Sequence, residues 1–341
     1  MEAVWFLAVA AMLAGYVVLD GFDIGAGMIH LFVARNERER RQVFSAIGPY
    51  WDGNEVWLLA AGGTMFAAFP TLYASSFSGF YLPLMIVLWL LILRGIAIEF
   101  RNQFDSPVWK PLWDAVFSGA SVLLAVFFGA GIGNVVRGVP LDDKHEFFLP
   151  LWTDFSLRGQ VGILDAYTVS VAFLAAVALA MHGALWVRYK TQGPVHGRSQ
   201  RLVWRLWWVV VALTAAVTAF TFAIQPLVLV SFSARSWGVV FPLLAVGGLV
   251  AVQRTRGELA QFLGSCAYLA GMLASAAFGL FPYALPSSIR PEQGLTVQTA
   301  AAAEYGLRVG LNWLVPGMAL VVGYGVFVYR RFAGKVDRTT G

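Results

Sequence analysis

The segment Gly48-Pro49-Tyr50-Trp51-Asp52-Gly53-Asn54-Glu55-Val56-Trp57 sets two carboxylates, an amide and two indoles at the mouth of an apolar run. A carboxylate beside a bilayer needs a partner, a water-filled cavity or a proton, so the cluster marks a functional site within a membrane helix. Asp52 and Glu55 stand three apart and share one face of a helix that starts near Tyr50. The surrounding chain is apolar: 59% of its 341 residues are hydrophobic, 13% are charged, and the mean hydropathy is +0.69. A soluble domain carries roughly 25% charged residues. The shortfall predicts a polytopic membrane protein. Unpaired backbone groups are not tolerated in lipid, so the spans are helices and the fold class is all-α. The ten-residue alternation of a membrane barrel is missing.

Nine spans are predicted at Val4–Val33, Tyr50–Pro70, Phe77–Ile98, Asp114–Val136, Val161–Val187, Leu206–Val230, Trp237–Val252, Leu259–Phe281 and Leu311–Tyr329. Together they make one integral-membrane domain over residues 1–341, with a tight hairpin around Gln253–Glu258. Segments 137–160 and 282–310 are long outer loops, the first carrying Asp142, Asp143, Glu146 and Asp154. The caps Pro70–Tyr73 and Val230–Ser236 are short. The start, Met1-Glu2-Ala3-Val4-Trp5, has no basic n-region and reads as the first span, not a cleaved signal.

Basic residues orient the bundle. Most lie in one set of connections: Arg35, Arg38, Arg40 and Arg41; Arg101 and Lys110; Arg188 to Arg205; Arg254 and Arg256; and Arg330 to Arg338. The other set holds only Arg137, Lys144, Arg158, Arg235, Arg290 and Arg308. The positive-inside rule makes the first set cytoplasmic, with the N-terminus outside and the C-terminus inside. The net charge of +5 is dispersed in these short runs and is no nucleic-acid footprint.

Asp20 and Asp23 share a face of the first span, and Arg35 lies about 18 Å further along a straight helix, so both acids are deep. Arg94 and Glu99 lie near the cytoplasmic end of the third span, and Asp114 opens the fourth. The first four helices, residues 1–136, thus carry acids and a base in the cytoplasmic half, while Asp165 is alone in the outer half. Arg94 keeps its charge and is expected to pair with one of the acids. Acids linked by water, Asn54 and Trp51 would form a proton relay, with Asp52, Glu55, Asp23 and Asp20 as the carriers. A buried ion pair that fixes helix register is the structural alternative. Gly21 and Gly25 stand at the small-xxx-small spacing that lets helices approach. The doublet Gly62-Gly63 reads as ordinary membrane-helix glycine.

Of the four histidines, His145 and His196 fall in loops and His30 and His182 near span ends, so the chain offers one pair at most for haem. The lone Cys266 excludes an intrachain disulfide and a cysteine metal site. No P-loop, HExxH or dinucleotide fingerprint is present; Gly131-Ile132-Gly133 lacks the remaining glycine.

Several stretches resemble subunit II of cytochrome bd-type quinol oxidases, a family that includes the cyanide-insensitive oxidases. They are Leu19-Asp20-Gly21-Phe22-Asp23-Ile24-Gly25, the Trp51–Trp57 segment, Phe69-Pro70 with Tyr73-Ala74, and Phe77–Tyr81. Arg94-Gly95, Glu99-Phe100-Arg101, Trp113-Asp114, Phe281-Pro282-Tyr283 and Leu285–Ser288 also match. From Val139 to Glu258 the likeness is only that of hydrophobic spans. The resemblance implies a complex in the bacterial cytoplasmic (inner) membrane that oxidises quinol and reduces dioxygen to water. It implies two b-type haems and a d-type haem, held mainly by a partner, subunit I, which also carries the quinol site. The partner would form a pseudosymmetric heterodimer with this chain, in contact with lipid and quinone, and a small accessory subunit is compatible. Subunit II would stabilise the haems and aid proton delivery from the cytoplasm. Positions matching Asp23, Asp52, Arg94 and Asp114 form an interior polar cluster in the family, and Asp23, Arg94 and Asp114 are its candidate cation site. Trp51 matches the residue beside a haem-facing acid. Glu99 stands where some members have Asp, which leaves quinone type and haem d content open. Two other readings share the buried acids: a proton-coupled secondary transporter, whose interrupted helices recur in matching halves, and a purely structural assembly subunit.

Overall fold

A computed structural model describes residues 1–151 and 162–336. Asp154, Arg158 and Arg338 lie outside the described residues. The helices are α1 (Glu2–Val33), α2 (Glu37–Ile47), α3 (Trp51–Ala68), α4 (Pro70–Gly79), α5 (Tyr81–Phe100) and α6 (Trp109–Arg137). Then follow α7 (Ala166–Lys190), α8 (Pro194–Ile224), α9 (Pro226–Ala234), α10 (Val240–Arg254), α11 (Glu258–Leu280) and α12 (Glu304–Arg331). The only strands among the described residues, β1 (Tyr283–Leu285) and β2 (Leu295–Thr296), pair antiparallel.

Eight of the described helical segments are long and apolar enough to cross a membrane: α1, α5 to α8, α10 with the short turn before it, α11 and α12. The second expected span, α3, is 18 residues long but opens on Asp52, Asn54 and Glu55 and falls outside that set. The chain reverses where expected between α10 and α11.

Several elements differ from the sequence reading, and α8 starts at Pro194, well before Leu206. α2 is an amphipathic helix inside what reads as a basic loop; Asn36 caps it by accepting from the Glu39 amide at 3.0 Å, and Val43, Phe44, Ala46 and Ile47 are its buried face. The expected short caps at Pro70 and after Val230 are helical, because Pro70 and Pro226 sit at the first turn of α4 and α9, where a fixed φ starts a helix. The last long helix starts at Glu304, earlier than Leu311.

α1 is the central post, touching α3, α6, α7 and α11, and every residue from Asp20 to His30 is buried. It can be so enclosed because α7 approaches it to backbone contact. A Cβ at Gly25 would stand 2.7 Å from the Gly183 nitrogen and 2.8 Å from its Cα. A Cβ added at Gly62 or Gly63 would meet no other part of the fold within 4 Å.

The two ends of the bundle are distinct. One gathers α2, the C-terminal ends of α1, α5, α7, α10 and α12, and the starts of α3, α6, α8 and α11. It is tied by Arg198 to Glu39 and Val33 O, by Lys335 to Glu258 at 2.5 Å, and by Lys190 to Phe332 O at 2.6 Å. The other holds the β1–β2 hairpin, whose Ser288 amide donates to Val139 O at 2.9 Å. There Trp5 donates to Leu307 O at 3.2 Å, and a second apolar core forms around Phe69, Leu141, Leu285 and Val297. The start of α1 and the end of α12 therefore lie at opposite ends.

Gly25→Val is expected to cost about 2–3 kcal/mol or block accumulation, since backbone must shift to admit it; Gly62→Ala should leave the melting temperature of the purified protein unchanged.

Candidate functional site: a buried acid–arginine cluster

Four helices meet at one polar cluster. Asp20 and Asp23 come from α1, Asn54 and Glu55 from α3, Arg94 from α5 and Tyr329 from α12. Asp20, Asp23 and Arg94 are each 0% exposed. Arg94 donates through Nη1 to Asp20 Oδ1 at 2.7 Å and through Nη2 to Glu55 Oε2 at 3.2 Å. Asn54 Nδ2 donates to Asp23 Oδ2 at 2.7 Å and to Leu19 O at 3.1 Å, and its Oδ1 accepts from the Tyr329 hydroxyl at 3.0 Å. Each α1 acid thus uses one oxygen. Asp20 Oδ2, Asp23 Oδ1, Arg94 Nε and the Tyr16 hydroxyl are buried without a hydrogen-bond partner among the described residues. One buried guanidinium faces three carboxylates in this region, so at least one acid is left to be balanced by a proton or by water.

Helical phase sorts the α3 residues. Asn54 points inward and is buried, while Asp52 is exposed and joins no hydrogen bond with a described residue. Glu55 shares the Asp52 side, but its longer side chain reaches Arg94 and stays 22% exposed. Trp51 is half-buried against the larger core and lies over Gly95. Glu99 is exposed.

Asp114 is not in this cluster. It accepts from Arg101 Nε at 2.6 Å and Arg40 Nη1 at 2.7 Å, and it lies 2.8 Å from His30 Nε2. Two guanidinium groups around one carboxylate disfavour a further cation, so the grouping of Asp114 with Asp23 and Arg94 is not seen. Among the described residues no set of three or more His, Cys, Asp or Glu could hold a metal ion. Asp165, at the opposite end of the bundle, caps α7 through the Tyr167 and Thr168 amides at 2.7 and 2.9 Å and pairs with Arg137.

The same α2-to-α6 rim extends to Glu37, which takes Arg101 Nη2 at 2.8 Å and Arg41 Nε at 2.9 Å. Burial alone would raise the Glu37 carboxyl, but the hydrogen bonds from Arg101 and Arg41 outweigh it and hold it down at about 2. Sequence reasoning missed α2 and hence the Arg40 and Glu37 contacts. The Asn36-x-x-Glu39 start and the apolar Val43, Phe44 and Ile47 were the available signals.

The family described as cytochrome bd terminal oxidase subunit II matches residues 1–332. The chain belongs to this family. It is 31% identical to the cytochrome bd-I ubiquinol oxidase subunit 2 of Escherichia coli K12, over 99% of this chain and 96% of that protein. It is 30% identical to the cytochrome bd ubiquinol oxidase subunit 2 of Bacillus subtilis, over 99% and 97%. The solved bd oxidase from Geobacillus thermodenitrificans shares the fold, with a TM-score of 0.78, 16% identity and coverage of 97% of this chain and 98% of that one.

Cytochrome bd chemistry makes haem the first group to test. His182 places Nδ1 2.7 Å from Ser265 Oγ and Nε2 2.9 Å from Val18 O, and its ring stacks on Phe262. His30 gives Nε2 to Asp114; its Nδ1 has no partner among the described residues, but Phe44 and Phe117 flank the ring and it has no exposed surface. His145 contacts Gln293 O, and His196 pairs with Glu258. The histidines of this bd subunit do not fit as axial haem ligands.

Two outcomes follow for stability. Arg94→Gln should cost about 3–5 kcal/mol by stranding Asp20, and adding Asp20→Asn should recover part of that loss in a thermal melt. Glu37, lowered from 4.5, stabilises the rim fully above pH 4.5 and loses this as pH falls toward 2. Its 41% exposed side chain keeps the effect small. The gap in melting temperature between wild type and Glu37→Gln should therefore narrow from pH 6 to pH 3.

Proposed function

We propose that this chain, a subunit of a cytochrome bd-type quinol:oxygen oxidoreductase, packs against the haem-bearing subunit I and carries protons toward it from the cytoplasm. The family gives the complex haem and quinol, and the histidine geometry supports placing the haem ligands, two b-type and one d-type haem, in subunit I. The quinol site belongs with them. The basic rim supports the orientation in which α2, Arg101 and the ends of α7 and α12 face the cytoplasm of a bacterial inner membrane, with nine spans once α3 is counted. The transporter alternative finds no support in the relatives.

One observation carries the proton role. Asp20 and Asp23 are wholly buried, and each retains one carboxyl oxygen without a partner among the described residues. Such an oxygen can take a proton and pass it on after a small rotation. Glu55 links this interior to the exposed Asp52 one helical turn away, and Arg94 sits between Glu55 and Asp20 as a fixed counter-charge. The relay reads Asp52, Glu55, Asp20, with Asn54, itself held by Tyr329, fixing Asp23 beside it. Protons drawn from inside for dioxygen reduction, with quinol protons released outside, separate charge without a pump. The cluster joins α1, α3, α5 and α12 and so also has a structural role.

Glu55→Gln in the assembled complex should lower oxygen consumption by at least tenfold while the reduced-minus-oxidised haem spectrum stays unchanged. Asp52→Asn should act in the same direction but more weakly. Full turnover in Glu55→Gln sinks the relay, and loss of the haem bands assigns the residue to assembly.

A further inference from the structure

A groove of about 450 Å³ opens between α8 and α10 near the basic rim, lined by Trp207, Trp208, Val250, Gln253 and Arg254. It is remote in the chain from the acid–arginine cluster, and the relay uses none of its residues. Its floor is fixed: Trp207 spans the gap between the helices by donating to Leu249 O at 2.9 Å, and Trp208 stands edge-on to it at 4.7 Å. Gln253 Oε1 is buried in this region without a partner among the described residues.

Charge surrounds the opening. Arg254 lines it, and Arg205 and Arg201 occupy the Trp208 face of α8, three and seven residues earlier. All three are exposed, and none pairs with a described carboxylate. Away from the rim, α10 carries a stripe of exposed apolar residues on the Val250 side: Val250 at 49%, Val246 at 56% and Leu243 at 63%. A fitting occupant has an anion at the arginines, a hydrogen-bond donor for Gln253, and hydrocarbon along α10.

The geometry points to a binding site for an anionic glycerophospholipid with a hydroxylated headgroup, of the phosphatidylglycerol type. Its phosphate accepts from Arg254, assisted by Arg205. A headgroup hydroxyl donates to Gln253 Oε1. The glycerol backbone rests on the Trp207 and Trp208 indoles, which suit the interfacial level of a bilayer. The acyl chains follow the Val250–Leu243 stripe. A choline headgroup offers no donor to Gln253 and brings a cation toward three arginines, so the site discriminates against it.

The test is native mass spectrometry of the assembled, delipidated two-subunit complex, titrated with dioleoyl phosphatidylglycerol or dioleoyl phosphatidylcholine. The wild type should take up one phosphatidylglycerol at a concentration at least tenfold below that needed for phosphatidylcholine. Arg254→Gln and Arg205→Gln should each weaken this event about fivefold. Val250→Trp, which fills the groove and keeps every arginine, should abolish it, whereas Arg330→Gln should leave it unchanged. Equal uptake of the two lipids by the wild type overturns the assignment without any variant. So does unaltered phosphatidylglycerol uptake in Val250→Trp, or a co-purifying polypeptide that occupies the groove and excludes lipid.

Discussion

Everything in the interior turns on one guanidinium. Arg94 is completely enclosed and keeps its charge, so the fold has to bring acids to it. Asp20 arrives from α1 and Glu55 from α3, and the two contacts lock three helices in one register. An ion pair of this kind adds little net stability over a well-packed apolar core, yet breaking it is severe. It is better understood as a constraint on how the helices align. The glycine contact between α1 and α7 is its complement: one fastens α1 by charge, the other by letting backbones touch.

A second polar centre, around Asp114, works differently. The carboxylate takes hydrogen bonds from Arg40 and Arg101 and lies beside His30, so at that contact base outnumbers acid and the geometry is fixed. It docks α2 to the starts and ends of α1, α5 and α6. The inner cluster has the reverse balance, with more acid than base. The proposed proton carriage belongs with the latter, because only an acid with a spare oxygen can change its state without breaking the scaffold.

The long helices were legible because lipid demands apolar runs that are visible in a single sequence. The acids within them were equally visible, since each stands out against its surroundings. Their partners were not. Asp20 meets Arg94 across 74 residues, and Asp114 meets Arg40 across 74 and His30 across 84, so the pairings needed the packed bundle. Phase on α3 was the other limit. Asp52 and Asn54 are two apart and face opposite ways, which put the amide in the interior and the acid outside. α2 escaped notice because a short helix with a charged face has no span-like signature, and Tyr329 because an aromatic in the last span reads as an interfacial anchor.

The distance in sequence between Asp20 and Arg94 bears on biogenesis. A ribosome finishes α1, with its pair of carboxylates, long before it makes the arginine that will neutralise one of them. Until then the two carboxylates of α1 must be met by protons or water for the helix to lie in hydrocarbon. Only when α5 emerges can the first helix move into the middle of the bundle. The post around which the finished subunit is built therefore cannot settle before the fifth helix is made.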